Sequence, residues 1–194
     1  MSRIGYPVDF APFAHRQGGR AAGSLVALLR QRAKARRIDL QFVPSGIDGL
    51  PGLLASGGID AILPKVPTAT RSAAFAFSVP LAATHAALFG RGGAPHPAEA
   101  GACGIATPFQ GPLFDILPRL APQARLIATA DYAGALAAVH DGLADFAALN
   151  AEVGALHCRG RLAIGPRFAQ FDLCLAAAAG DPTGILSRLG LARD

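Results

Sequence analysis

Charged residues are scarce in this sequence: Asp, Glu, Lys and Arg make up 16% of it, whereas hydrophobic residues make up 52%. Intrinsic disorder is excluded, because disordered chains have few apolar residues and many charges. The 194 residues could form one domain or two smaller lobes, each able to bury a core. Composition alone leaves both arrangements open.

Cysteine is rare as well, whereas glycine and proline are common. The three cysteines, Cys103, Cys158 and Cys174, are odd in number and show no Cys-x-x-Cys spacing. We expect free thiols rather than a disulfide scaffold or a zinc ribbon. The 23 glycines and 15 prolines predict many short elements separated by turns, which excludes a coiled coil.

No segment predicts a leader peptide or a membrane span. Residues 1–7 contain no basic stretch leading into a long apolar run, so no signal peptide is expected, and a chain complete as given would be cytoplasmic. Residues 72–90 contain no Asp, Glu, Lys or Arg and approach the length of a membrane span. Pro80 and the small and polar residues of this stretch argue against a transmembrane helix.

An internal repeat gives the clearest indication of architecture. Residues 37–63 read as strand, turn, helix, glycine and strand, and residues 125–149 read in the same order. Gly57 and Gly142 stand where each helix must end in a left-handed conformation, which glycine adopts at little cost. The apolar runs that follow are short enough for buried parallel strands. The repeat therefore predicts an α/β protein with two lobes of similar design.

An aspartate also recurs in each copy of the repeat. Asp60 and Asp145 precede the second strand of their respective copies. Because each has the same place in its own lobe, we interpret both as structural residues and not as a catalytic pair.

The lobe boundaries follow from a turn-rich segment and a late apolar run. Residues 90–97 contain the densest turn signals, and residues 168–179 read as a strand that returns the chain to the first lobe. The predicted fold is a two-lobed clamshell with a mixed, mostly parallel sheet in each lobe and a ligand cleft at the strand ends. The predicted boundaries are residues 1–88 plus 173–194 for lobe 1 and 89–172 for lobe 2, with hinge crossings near 86–92 and 170–175.

Motifs for catalysis, metal binding and nucleic-acid binding are missing from the sequence. It contains no Gly-x-Ser-x-Gly and no phosphate-binding loop. His157 and Cys158 are adjacent, which is not a metal-ligand spacing, so we predict no metal and no cofactor. The basic run at residues 30–37 lies on the polar side of a predicted helix without aromatic residues for base stacking, which favours a solvated face and no nucleic-acid partner.

Four short motifs occur in order along the chain. They are residues 10–13 (Phe-Ala-Pro-Phe), residues 54–62 (Leu-Ala-Ser-Gly-Gly-Ile-Asp-Ala-Ile), residues 68–71 with 77–80 (Thr-Ala-Thr-Arg and Phe-Ser-Val-Pro), and residues 142–145 (Gly-Leu-Ala-Asp). As a set they resemble the family 3 solute-binding proteins, the polar amino-acid receptors of ABC importers. The resemblance runs from residue 3 to about residue 180. It implies a type II periplasmic-binding fold that closes on a small solute.

The resemblance also implies where a ligand binds. Arg71 matches the family's carboxylate-binding arginine, and a guanidinium holds a carboxylate through two parallel hydrogen bonds. The family's amine-binding aspartate is replaced by Asn150, a neutral amide that cannot offset a buried ammonium. With Lys65 close to Arg71 in sequence, these residues predict a small carboxylate or other organic anion as the ligand.

Three further ligand contacts are expected from the same resemblance. Phe10 lies at the aromatic stacking position of the opening turn, with a core position as the alternative. Thr107 and Gln110 flank the start of a helix in lobe 2, whose backbone N–H groups can bind an anion. For Asn150 the alternative is a turn-forming asparagine.

The resemblance implies a monomeric, non-enzymatic receptor in the periplasm that passes a small anionic solute to an ABC permease in the membrane. Two alternatives remain open. One is a cyclohexadienyl-dehydratase-like lyase on the same scaffold, with Glu152 or Asp9 as the general acid. The other is a cytoplasmic effector-binding domain, which the missing leader favours and the missing helix-turn-helix disfavours.

Overall fold

The computed structural model describes residues 1–109 and 111–193 of an α/β chain that divides into two units. Residues 1–83 and 172–194 form the first unit, and residues 84–171 form the second. The elements in chain order are β1 (Ser2–Pro7), β2 (Asp9–Phe10), β3 (Ala14–Gln17), β4 (Arg20–Ala22), α1 (Ser24–Ala35), β5 (Leu40–Ser45), α2 (Gly49–Ala55), β6 (Ala61–Lys65), β7 (Phe75–Phe77), β8 (Ala82–Gly90), β9 (Gly104–Pro108), α3 (Pro112–Leu120), β10 (Arg125–Thr129), α4 (Tyr132–His140), β11 (Phe146–Asn150), α5 (Ala151–Cys158), β12 (Ala163–Ile164), β13 (Phe168–Ala178) and α6 (Ile185–Arg188).

The main sheet of the first unit is built around β1. This strand pairs in parallel with β5 and β6, while β13 pairs antiparallel with β6 and with β7. Leu50 and Leu54 of α2 form an apolar cluster with Ile59 and Ile62. Gly5 of β1 allows this close packing, because a Cβ atom there would collide with Ile59 and Leu50. The helix-to-sheet core of the unit therefore depends on residues from the first copy of the repeat.

The sheet of the second unit is built around β9, which pairs in parallel with β10 and β11. β8 pairs antiparallel with β11, and β12 with β8. Ala147 and Leu149 of β11 pack in a cluster with α4 and α5, whereas Ala148 packs in another cluster with Leu113 and Leu117 of α3. Because successive strand residues point to opposite faces, α3 covers one face of the sheet and α4 and α5 cover the other. Burial on both faces explains why β11 is apolar until its last residue.

The repeat predicted from the sequence is present in both units. Gly57 and Gly142 have φ angles of 71° and 76°, in the left-handed region expected after a helix. Asp60 accepts a hydrogen bond from the Arg3 backbone N–H at 2.7 Å, and Asp145 accepts one from the Gly104 N–H at 2.7 Å. Each aspartate therefore ties its own strand to a neighbouring strand, which confirms the structural interpretation.

Some elements were not predicted from the sequence. The three strands β2, β3 and β4 form a separate antiparallel sheet over residues 9–22. These strands have two to four residues each and include several polar side chains, so they lack the apolar alternation that identifies longer strands. The uncharged stretch of residues 72–90 contains β7 and β8. None of the helices in the described ranges is long and apolar enough to cross a membrane.

Candidate functional site

Two cationic side chains adjoin at the end of β6 in the first unit. Lys65 is the last residue of this strand, and Arg71 lies in the turn that follows. The Arg71 backbone N–H donates to the Thr68 carbonyl at 3.0 Å, and its guanidinium Nη1 donates to the Val66 carbonyl at 2.9 Å. The turn therefore holds the guanidinium against the backbone that follows Lys65.

Lys65 is an unusually placed lysine. Burial and, to a lesser degree, the positive charge of Arg71 lower the pKa of Lys65 from 10.5 to about 8. Its Nζ lies 4.7 Å from the ring centroid of Phe75, and within the described ranges no acidic side chain pairs with it. An anion bound beside the two cations would favour the protonated lysine, because an opposite charge stabilises the charged form.

Phe10, the third expected contact in the first unit, is largely covered by the protein. It lies in β2 with 8% of its surface exposed, and its ring centroid is 5.8 Å from that of Phe13. The ring therefore belongs to an aromatic pair inside the unit, and its contact with a ligand stays a prediction.

The expected contacts of the second unit, Thr107 and Asn150, are engaged with neighbouring protein groups. Thr107 is fully buried in β9, and its hydroxyl donates to the Ala148 carbonyl at 2.9 Å. Asn150 ends β11 and caps α5, where its Oδ1 accepts from the Val153 N–H at 3.1 Å. Its Nδ2 donates to the Thr84 hydroxyl at 2.6 Å. Ligand contact by either side chain stays a prediction.

The hydrogen bonds of Asn150 extend through Thr84 to an ion pair between Glu152 and Arg167. The Thr84 hydroxyl donates to Glu152 Oε2 at 2.5 Å, and Arg167 Nη2 lies 3.2 Å from Glu152 Oε1. Burial would raise the pKa of Glu152, but the bond from Thr84, backbone N–H groups and Arg167 together hold it below its usual value. From the sequence, Glu152 was a candidate general acid without Thr84 as its partner. Thr84 could have been found only from the antiparallel pairing of β8 with β11. This pairing sets Asn150 opposite Ala86, two residues from Thr84 in β8.

The structure thus groups the expected residues by unit. Lys65 and Arg71 adjoin in the first unit, and Thr107 and Asn150 lie on the paired strands β9 and β11 of the second. Gln110 lies outside the described residues. In the part of the chain that the structure describes, no group of three or more His, Cys, Asp or Glu side chains could hold a metal ion.

A comparison with protein families gives the assignment. The model of the bacterial extracellular solute-binding proteins, family 3, matches residues 2–164. The chain belongs to this family. As a family 3 protein, it carries Arg71 and the signature aspartates Asp60 and Asp145 inside the matched region, and Asn150 also lies within it.

Solved structures agree with this family 3 fold. A histidine kinase sensor domain with similarity to periplasmic binding proteins matches with a TM-score of 0.85 at 22% identity, over 97% of this chain and 86% of that chain. Holo ArgBP from T. maritima matches with a TM-score of 0.83 at 19% identity, over 97% and 86%. The ancestral amino acid-binding protein AncCDT-1, a precursor of cyclohexadienyl dehydratase, matches with a TM-score of 0.78 at 20% identity, over 97% and 87%. No curated protein sequence matches the chain significantly. These likenesses establish the two-lobed type II fold.

Proposed function

We propose that this protein is a receptor that captures a small carboxylate or other organic anion and presents it to the permease of an ABC importer. Residues of both units would contact the ligand. A ligand bound by both units stabilises the closed arrangement over the open one, so binding shifts the population towards the form that a permease recognises. The proposed ligand contacts are Phe10, Lys65 and Arg71 in the first unit and Thr107, Gln110 and Asn150 in the second.

The observation that carries the proposal is the pair of adjoining cations. Lys65 is desolvated, lies beside the charge of Arg71 and has no acidic partner within the described ranges. Such a cation is disfavoured in the unliganded protein, and a bound carboxylate would remove part of that cost. Arg71 would supply the fork geometry that a carboxylate needs.

Asn150 supports an anion rather than a zwitterionic amino acid. Both ends of its amide already have protein partners, the Val153 N–H and the Thr84 hydroxyl. A neutral amide in these bonds gives a ligand ammonium no counter-charge. The expected ligand therefore carries more negative charge than positive.

The enzyme alternative requires a general acid, for which the sequence offers Glu152 or Asp9, and Glu152 is poorly suited to that role. Its pKa is lowered by Thr84, backbone N–H groups and Arg167 despite the opposing effect of burial, so its carboxyl group is ionised at neutral pH. A general acid at that pH needs a raised pKa. An effector-binding domain would bind its ligand in the same way as a receptor and would differ only in the protein that responds to binding.

Native mass spectrometry of freshly purified protein, followed by calorimetric titration, tests the proposal. We expect a co-purified anion, and among added probes we expect succinate to bind and glucose and putrescine to fail. Arg71→Gln and Lys65→Gln should each weaken succinate binding by about tenfold or more, because each removes a charge-assisted contact. Lys34→Gln, an exposed lysine of α1, is the matched control.

The pH dependence gives a second, independent readout. Affinity for succinate should fall as the pH rises above about 8, where Lys65 loses its proton. In Lys65→Gln this loss should disappear. Tight binding of only neutral sugars or cationic amines, or an affinity unaffected by both cation variants, would overturn the proposed function.

A further inference from the structure

A groove lies between α4 and α5 of the second unit. It has a volume of about 340 Å³ and is partly open to solvent. Every lining residue lies between positions 133 and 162, inside the second unit. The groove shares no residue with the ligand contacts proposed above.

The polar part of the groove includes one guanidinium, one carboxylate and two imidazoles. Arg161 lines it, and within the described residues its guanidinium has no hydrogen bond or salt bridge. The imidazoles of His140 and His157 line it as well. Among the described residues that line the groove, Asp141 supplies the one carboxylate, and its Oδ1 lies 3.0 Å from His140 Nδ1. The Asp141 carboxylate therefore contacts His140, and Arg161, which has no acidic partner among the described residues, is available to an anion.

The remaining lining is apolar. Leu136 and Leu162 are each 9% exposed, and the exposed methyl group of Ala137 borders the groove on α4. His157 also stacks on Tyr132, with ring centroids 5.8 Å apart and planes 26° from parallel. A flat apolar body could therefore lie on leucine and imidazole surfaces while its anionic end reaches the guanidinium.

We propose that the α4–α5 groove is a second binding site, specific for a small aromatic carboxylate. Arg161 binds the carboxylate, and the leucines together with the His157 ring hold the aromatic body. Arg159 provides a matched comparison, because it carries the same charge two residues away and does not line the groove.

Titration of benzoate into the intact 194-residue chain, monitored by backbone amide NMR shifts, tests this site. Shifts should concentrate in α4, in α5 and in residues 159–162. Arg161→Gln should weaken benzoate binding by about tenfold, because a charge-assisted hydrogen bond is lost, whereas Arg159→Gln should leave it unchanged. Ala137→Leu should also weaken binding by filling the groove at an exposed helix position that tolerates leucine.

Two comparisons keep this result separate from the proposed function. Arg71→Gln should leave the groove shifts unchanged, since that residue belongs to the first unit. Benzamide, the neutral counterpart of benzoate, should bind at least several-fold more weakly. Equal binding of benzoate and benzamide, or equal effects of Arg161→Gln and Arg159→Gln, would overturn the assignment.

Discussion

Replacing Lys65 with methionine tests the electrostatic reasoning about the cation pair without any ligand. Methionine keeps the length and apolar stem of the side chain and removes its charge. In the folded protein, burial and Arg71 lower the pKa of Lys65 from 10.5 to about 8. This lowering corresponds to about 3 kcal/mol of disfavoured charge relative to the unfolded chain.

The net gain should be smaller than that figure. The lysine keeps part of its solvent exposure, which screens the cost, and the variant loses the interaction of Nζ with the Phe75 ring, worth about 1 kcal/mol. We therefore expect Lys65→Met to stabilise the ligand-free protein by about 1–2 kcal/mol at pH 7.

The stability difference between Lys65→Met and the wild type should decrease as the pH rises. Below pH 8 both the folded and the unfolded wild type carry the proton, so the cost is fully present. Between pH 8 and about 10.5 the folded state releases the proton first, and the wild type gains stability relative to the variant. By pH 10.5 the difference due to charge should be lost.

Urea denaturation of refolded, ligand-free protein at pH 7 and pH 10 measures this effect, and Lys34→Met on the exposed side of α1 is the control. Lys34→Met should have the same small effect on the free energy of unfolding at pH 7 and at pH 10. A Lys65→Met variant that is destabilised by the same amount at pH 7 and pH 10 would refute the reasoning.

Two further predictions concern the repeat. Gly57→Ala should destabilise the protein by about 1 kcal/mol, because alanine is strained at a φ angle of 71°, whereas Gly52→Ala, in open space inside α2, should be neutral or stabilising in the same denaturation assay. Asp145→Ala should cost about 1–3 kcal/mol, since it leaves the Gly104 N–H without its acceptor. Amide hydrogen exchange at Gly104 should accelerate in that variant, and unchanged exchange would contradict a stabilising role of the hydrogen bond to Asp145.

Much of the fold could be predicted because the decisive signals are local. Gly57 and Gly142 mark helix ends through a backbone conformation that depends on the residue itself. The apolar runs of β6 and β11 identify buried strands through their composition. The small sheet of β2, β3 and β4 was missed, because very short polar strands form through pairing with each other and leave no periodic pattern.

The candidate site was only partly predictable. Arg71 and Lys65 are close in sequence, and the family motif indicated that the arginine binds a ligand carboxylate. The contact of Asn150 with Thr84 could not be predicted from the sequence, since Thr84 is 66 residues away and lies beside it only because β8 pairs with β11. The lowered pKa of Lys65 likewise arises from burial, which is a property of the assembled unit.

The sequence by itself determined the α/β class, the duplicated strand-helix-strand design and the family, because these depend on residue type, order and spacing along the chain. The tertiary structure decided which polar groups are already engaged and which are left available. It bonds the Asn150 amide to Thr84 and Val153, and it buries Lys65 beside Arg71. The physical reason is that hydrogen bonding and desolvation depend on neighbours brought together in space, and those neighbours exist only once the strands have paired.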